Sequence, residues 1–143
     1  MDNPREDGGP SDQELLGGTE RILFIDDEPA VVELYKNLLE KYGYSVVIRT
    51  SSIEAVELFR NNPDRFDVVV TDQTMPSITG YELAQEILLI RPGIPIILCT
   101  GYSATISPEI AKSIGIREYV MKPVITRELT RIIRKIFDQP HEE

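Results

Sequence analysis

Five side chains able to do chemistry stand where short apolar runs stop. Asp26 and Asp27 follow Ile22 to Ile25, Asp72 follows Val68-Val69-Val70, Thr100 follows Ile96 to Cys99, and Lys122 follows Tyr119-Val120-Met121. An isolated Asp in such a place is commonly a turn or helix-cap acid. Three carboxylates at matching places ask for more. Two ionised carboxylates about 4 Å apart repel by roughly 4 kcal/mol at the effective dielectric of a protein surface. A group of three therefore holds a proton or gathers a cation. Carboxylates, a backbone carbonyl and water suit a hard divalent ion such as Mg²⁺. No cysteine-histidine set for zinc is present, and the single histidine, His141, lies in the polar C-terminal tail as a solvated residue. A carboxylate also acts as a nucleophile that takes up a phosphoryl group. The product carries about −1.5 to −2 of added charge, which Mg²⁺ and the Lys122 ammonium offset, with the Thr100 hydroxyl as a further donor.

The elements that must position these groups alternate along the chain. The run ending at Asp72 reads as a strand buried on both faces. The strand from Arg21 to Ile25 is followed by Glu28-Pro29, which opens a helix with proline in the first turn, and Val31, Leu34, Tyr35, Leu38, Leu39 and Tyr42 recur on one stripe up to Gly43. Tyr44 to Ile48 forms a second strand. Ser51 with Glu54, and Thr79 with Glu82, have the spacing of capping boxes for the next two helices. Leu83, Ala84, Ile87 and Leu88 face inward on the later of these, and Arg91-Pro92-Gly93 ends it. Ser107-Pro108 starts a shorter helix with Ile110, Ala111 and Ile114 inward, closed by Gly115. The last helix, after Thr126, places Leu129, Ile132, Ile133, Ile136 and Phe137 on one stripe. Five strands alternating with five helices predict an α/β fold with a parallel sheet of right-handed crossovers, expected here as the doubly wound five-stranded sheet of order 2-1-3-4-5. In that order the first and third strands adjoin at the switch point, so Asp26, Asp27 and Asp72 meet at the rim where such sheets bind ligands.

The totals agree with one domain. The 143 residues bury about two thirds of the unfolded surface without staples. Cys99 is the sole cysteine and lies inside an apolar strand, so it reads as a small buried hydrophobe in a reducing compartment. A net charge of −9 opposes direct binding to nucleic acid or an anionic membrane. No apolar run approaches the roughly 18 residues that cross a bilayer, and the acidic N-terminus is unlike a signal sequence. A cytoplasmic location is expected. Residues 1–19 are polar, acidic and glycine-rich, hence a flexible tail or linker in which Leu15-Leu16 can dock on a neighbour. Residues 20–138 form the domain, and 139–143 a C-terminal tail.

Taken together, FIDDEP, VVVTDQTMPSITG, ILCTG and YVMKP resemble the receiver domain of two-component response regulators, with the resemblance running from Glu20 to Phe137. It implies a flavodoxin-like receiver fold in which Asp72 is the phosphoacceptor for a phosphohistidine. The donor is a sensor histidine kinase or histidine phosphotransfer protein. Asp27, Asp72 and the backbone carbonyl of Thr74 are implied as Mg²⁺ ligands, with Asp26 helping through water. Thr100 and Lys122 are implied to bind the phosphoryl group, Tyr119 to swing inward when Thr100 moves, and the Lys122-Pro123 bond to be cis. Such a domain is not an enzyme with a separate substrate, although it promotes its own aspartyl phosphorylation and dephosphorylation. Thr74 and Tyr102 occupy the two positions that tune phosphate lifetime, and neither suits an attacking water.

The output is expected at the fourth helix, fifth strand and fifth helix, where a downstream protein or a homodimer partner binds. Arg127, Arg131, Arg134 and Lys135 give the last helix a basic side that reads as a solvated face. No DNA-binding module is expected after Phe137. The sequence LCTGYS and the run GGTERILFIDDE look similar to receivers attached to hybrid histidine kinases, leaving a freestanding receiver and a kinase fragment both open. Against a haloacid dehalogenase stands Thr74, where that chemistry uses a second Asp. Against a flavodoxin-like cofactor binder stands the repulsive Asp26-Asp27-Glu28 loop. A phosphorylation-independent binding module on the same fold is the alternative.

Overall fold

The computed structural model of the chain describes residues 16–101 and 105–138. Strand β1 (Arg21–Ile25) leads into helix α1 (Pro29–Glu40), then β2 (Ser45–Arg49), α2 (Ser52–Asn61), β3 (Val68–Asp72), α3 (Gly80–Ile90), β4 (Ile96–Thr100), α4 (Pro108–Ser113), β5 (Glu118–Met121) and α5 (Thr126–Asp138). All strand pairs are parallel, as the alternation predicts, and the sheet order is β2-β1-β3-β4-β5, the doubly wound order expected.

Side chains alternate between the faces of a strand, so the sheet divides the core into two layers. Leu23, Ile25, Val69, Ile96 and Leu98 pack under α2, α3 and α4 with Phe59, Leu83, Ile87 and Ala111. Ile22, Phe24, Val68, Val70, Ile97 and Cys99 pack under α1 and α5 with Val32, Leu39, Leu129 and Ile133. Strands β3 and β4 are buried at every position because both of their faces are covered.

Local signals start the helices. Thr79 and Glu82 form the full reciprocal capping box of α3, whereas Ser51 accepts from the Glu54 N–H at α2 as a one-way cap. Ser107 caps α4 by accepting from the Ile110 N–H.

The inward stripes differ from the periodicity in two helices. On α1 the buried residues are Val32 and Leu39, while Leu34 is 55% exposed. On α4 only Ala111 is buried, and Ile110 is 46% exposed. A helix of six residues offers the sheet one turn's worth of face, and the smallest apolar side chain takes the closest approach.

Leu16, Gly17 and Gly18, expected in a flexible tail, lie against the domain. The Leu16 N–H donates to Thr130 Oγ1 at 3.3 Å and the Leu16 carbonyl accepts from the Tyr44 hydroxyl at 2.6 Å. The Gly18 N–H donates to the Tyr42 carbonyl at 3.1 Å. Arg134 donates to the Gly17 carbonyl, pairs with Glu20 and stands over the Tyr44 ring. Glycine is required at position 17, where a Cβ would lie 2.8 Å from the Tyr42 carbonyl oxygen; a Cβ at Gly18 would meet only side-chain atoms of Glu20, Tyr44 and Arg134. Leu15, Tyr102 and His141 lie outside the described residues.

Candidate functional site

The sheet register builds the site. Ile25 pairs with Thr71, so the next residues on each strand, Asp26 and Asp72, emerge side by side at one rim. Asp72 pairs with Cys99, which sets Thr100 one step beyond, and Thr100 in turn pairs with Met121, immediately before Lys122. Carboxylate oxygens of Asp26, Asp27 and Asp72 lie within 4.8 Å of one another. Asp26 and Asp72 are buried and Asp27 is exposed.

Lys122 reaches into this group. Its Nζ stands 2.8 Å from Asp72 Oδ1 and 3.5 Å from Asp26 Oδ2. Asp26 Oδ1 also accepts from the Glu28 N–H at 3.1 Å, so this residue combines the ordinary turn role of an aspartate with membership of the cluster.

The electrostatics follow from the count of three carboxylates and one ammonium. Burial pushes the Asp72 carboxyl above its usual range; the Lys122 hydrogen bond works against this, and the charge of Asp26 adds to it. Burial would lower the Lys122 ammonium, but the bond to Asp72 and the charges of Asp72 and Asp26 outweigh it and raise the pKa. Burial, with Asp72 close by, pushes the Cys99 thiol up to about 12, so that thiol is inert.

Thr100 is fully buried, and its hydroxyl donates to Met121 Sδ at 3.3 Å. Tyr119 is half-buried, with its hydroxyl on the Ile106 carbonyl at 2.6 Å. Thr74 is exposed in the loop after β3. The Lys122-Pro123 bond is cis, as the resemblance implied.

Sequence reasoning passed over two residues that shape the loop carrying Thr74. Gln73 is buried; its N–H donates to the Cys99 carbonyl, and its side-chain oxygen accepts from the Tyr81 N–H at the start of α3. Gly80 brings the helix against β3, and a Cβ there would lie 2.3 Å from the Asp72 carbonyl oxygen. The motif contains both residues, but neither side chain advertises a tertiary contact. Beside the rim, a cavity of about 250 Å³ runs under α1, with Tyr35, Val70, Cys99 and Val124 among its walls.

The basic side expected on α5 is largely paired. Lys135 bonds Glu118 at 3.1 Å, Arg131 bonds Glu128 at 3.5 Å, and Arg134 is engaged with Glu20. No helix among the described residues is long and apolar enough to cross a membrane.

Known proteins share this fold. The family model of the response regulator receiver domain matches residues 22–134. The two-component response regulator ORR24 of Oryza sativa subsp. indica is 31% identical over 125 residues, covering 87% of this chain and 20% of its own length. The response regulator SaeR of Staphylococcus aureus (strain USA300) is 32% identical over 115 residues, 80% of this chain and 49% of its own. The chain thus spans only a fifth to about half of these curated relatives. Among solved structures, a response regulator receiver domain protein from Clostridium thermocellum superposes with a TM-score of 0.79 at 34% identity, covering 83% of this chain and 94% of that one. A CheY-like receiver domain protein from Methanospirillum hungatei gives 0.76 at 31%, covering 85% and 95%.

Proposed function

Because this chain belongs to the response regulator receiver domain family, we propose that it is a phosphorylation-activated signalling switch whose acceptor is Asp72. The observation that carries this reading is the Lys122 ammonium 2.8 Å from Asp72 Oδ1, inside a cluster of three carboxylates. One cation against three acids leaves a net negative, partly buried pocket with a nucleophilic oxygen at its centre.

The donor set fits Mg²⁺. Asp26, Asp27 and Asp72 offer only hard oxygen atoms, and neither nitrogen nor sulfur belongs to the cluster. Asp27, Asp72 and the Thr74 carbonyl would hold the ion, with Asp26 acting through water. When bound, Mg²⁺ offsets the negative charge on the phosphoryl oxygens.

The rest falls to the chain's own residues. In its ionised form, an Asp72 oxygen attacks the phosphorus of a phosphohistidine on a sensor kinase or phosphotransfer protein. The oxygen–phosphorus bond forms as the phosphorus–nitrogen bond breaks, and the imidazole leaves. Lys122, already in contact with Asp72, moves its ammonium onto a phosphoryl oxygen, and Thr100 turns its hydroxyl to another. Tyr119 then follows Thr100, altering the surface of α4, β5 and α5 that a downstream partner reads. With Thr74 unsuited to orienting water, the phosphoaspartate is moderately long-lived; a half-life of seconds for the purified protein would refute that part.

The experiment is incubation with acetyl phosphate and Mg²⁺ followed by intact-mass measurement. A gain of one phosphoryl group that disappears in Asp72→Asn and on chelation supports the switch. No gain in the unaltered protein supports a binding module that works without phosphorylation.

A further inference from the structure

We propose that Met121 is a positioning residue that holds the Thr100 hydroxyl in the resting orientation and so sets the threshold of the switch. This rests on the reading of Asp72 as phosphoacceptor, and it adds a residue to the machinery that no matching motif assigns.

Thr100 and Met121 are direct partners across β4 and β5, and side chains of paired residues share a face. Two steps back, Leu98 and Tyr119 are also paired and lie in the layer under α2, α3 and α4. Thr100, Met121 and Tyr119 therefore occupy one face of the sheet edge. The Thr100 hydroxyl is 0% exposed and carries a single proton, so without water it must find its acceptor inside the protein. That acceptor is Met121 Sδ at 3.3 Å.

A hydroxyl cannot give the same proton to sulfur and to a phosphoryl oxygen. Donation to Met121 and donation to a group on Asp72 are thus alternatives, and the two-state equilibrium of Thr100 contains Met121 on its resting side. The choice of acceptor suits the task. A thioether is a weak acceptor, strong enough to satisfy a buried hydroxyl and weak enough to release it to an anionic oxygen, whose hydrogen bonds are roughly twice as strong. Met121 is itself 48% exposed, so its sulfur loses little when the hydroxyl departs.

Leucine has nearly the volume of methionine and no acceptor. In Met121→Leu the resting Thr100 hydroxyl is left buried without a partner, which raises the resting state and not the phosphoryl-bound one. The test is titration of the full chain with beryllofluoride in Mg²⁺, read by intrinsic tyrosine fluorescence, alongside Met121→Ile, Thr100→Val and the double variant Met121→Leu/Thr100→Val. Binding by Met121→Leu and Met121→Ile about five- to tenfold tighter than by the unaltered chain is expected from the loss of one buried acceptor. In the Thr100→Val background, which has no hydroxyl to release, the gain should vanish. Unchanged or weaker binding in the Met121 variants overturns the role of Met121 while leaving Asp72 intact. A gain that persists without the Thr100 hydroxyl also overturns it, since packing alone would then be responsible. Absence of saturable binding in the unaltered chain overturns the Asp72 reading and this one with it.

Discussion

Two clusters of opposite charge sit at the two ends of β1, and they differ in balance. Beyond its C-terminal end, Asp26, Asp27 and Asp72 share one Lys122. Before its N-terminal end, Arg134 stands between Glu20, each of these two side chains 17% exposed, and the more exposed Asp138 at 3.6 Å, and the guanidinium is braced by the Gly17 carbonyl and the Tyr44 ring. This group has a structural job, clasping Leu16, Gly17 and Glu20 onto α5. The rim group stores repulsion that only an incoming cation or a proton relieves. The acidic excess is larger at the rim, where three carboxylates share one ammonium, than at the clasp, where two share one guanidinium.

This contrast can be broken by substitution. Arg134→Met leaves Glu20 half-sheltered without its partner. Breaking a fully buried pair costs about 3 to 5 kcal/mol; residual exposure reduces this to about 2 to 3 kcal/mol, and chemical denaturation should show it as a lower midpoint. At the rim the sign reverses. Asp26→Asn removes one of three like charges while its side-chain oxygen can still accept from Glu28, so in metal-free buffer the protein should gain about 1 kcal/mol. The same variant should bind Mg²⁺ more weakly, measurable by calorimetry. An equal loss of stability at both ends would erase the distinction.

Acidity sharpens it further. The folded pKa of Asp72 is raised, so this group's favourable contribution is fully present below the ordinary carboxylate value and is lost as pH rises through its elevated one. Asp67 is the reverse. Held low by the hydrogen bond from Arg21, it contributes above the ordinary carboxylate value and loses that contribution as pH falls through its depressed one. Without metal, Asp72→Asn should therefore flatten the part of the stability profile just above the ordinary carboxylate range, and added Mg²⁺ should stabilise the parent more than the variant, which lacks a ligand. The smallest effect belongs to the Lys135–Glu118 pair, whose lysine is exposed, where Lys135→Ala should shift stability by less than about 1 kcal/mol.

Much of this was readable from the chain. Apolar runs stopping at Asp26, Asp72, Thr100 and Lys122 specify both the strands and the rim, because a parallel sheet covered on both faces needs continuous hydrophobic strands and delivers their ends to one side. Thr79 with Glu82 announced its helix because capping is local. The inward stripe of α1 was misjudged at Leu34, since periodicity gives a helix a face but not its rotation about its own axis. The tail assignment at Leu16 to Thr19 ignored that two glycines let the backbone lie flat on Tyr42 and Tyr44. The basic side of α5 looked solvated because its acidic partners, Glu20 and Glu118, are distant in sequence.

The order of residues by itself settled where the carboxylates, the hydroxyl and the lysine stand, at the ends of their strands; the sheet order β2-β1-β3-β4-β5, one of the common doubly wound orders, brings them together. Only the folded structure decided what each group does at rest. Lys122 spans Asp72 and Asp26, Asp26 doubles as a turn acid, and the Thr100 hydroxyl turns to Met121. Register fixes neighbours, but a hydrogen bond depends on side-chain rotamers and on which acceptors burial leaves within reach, and those arise only when both layers close on the sheet.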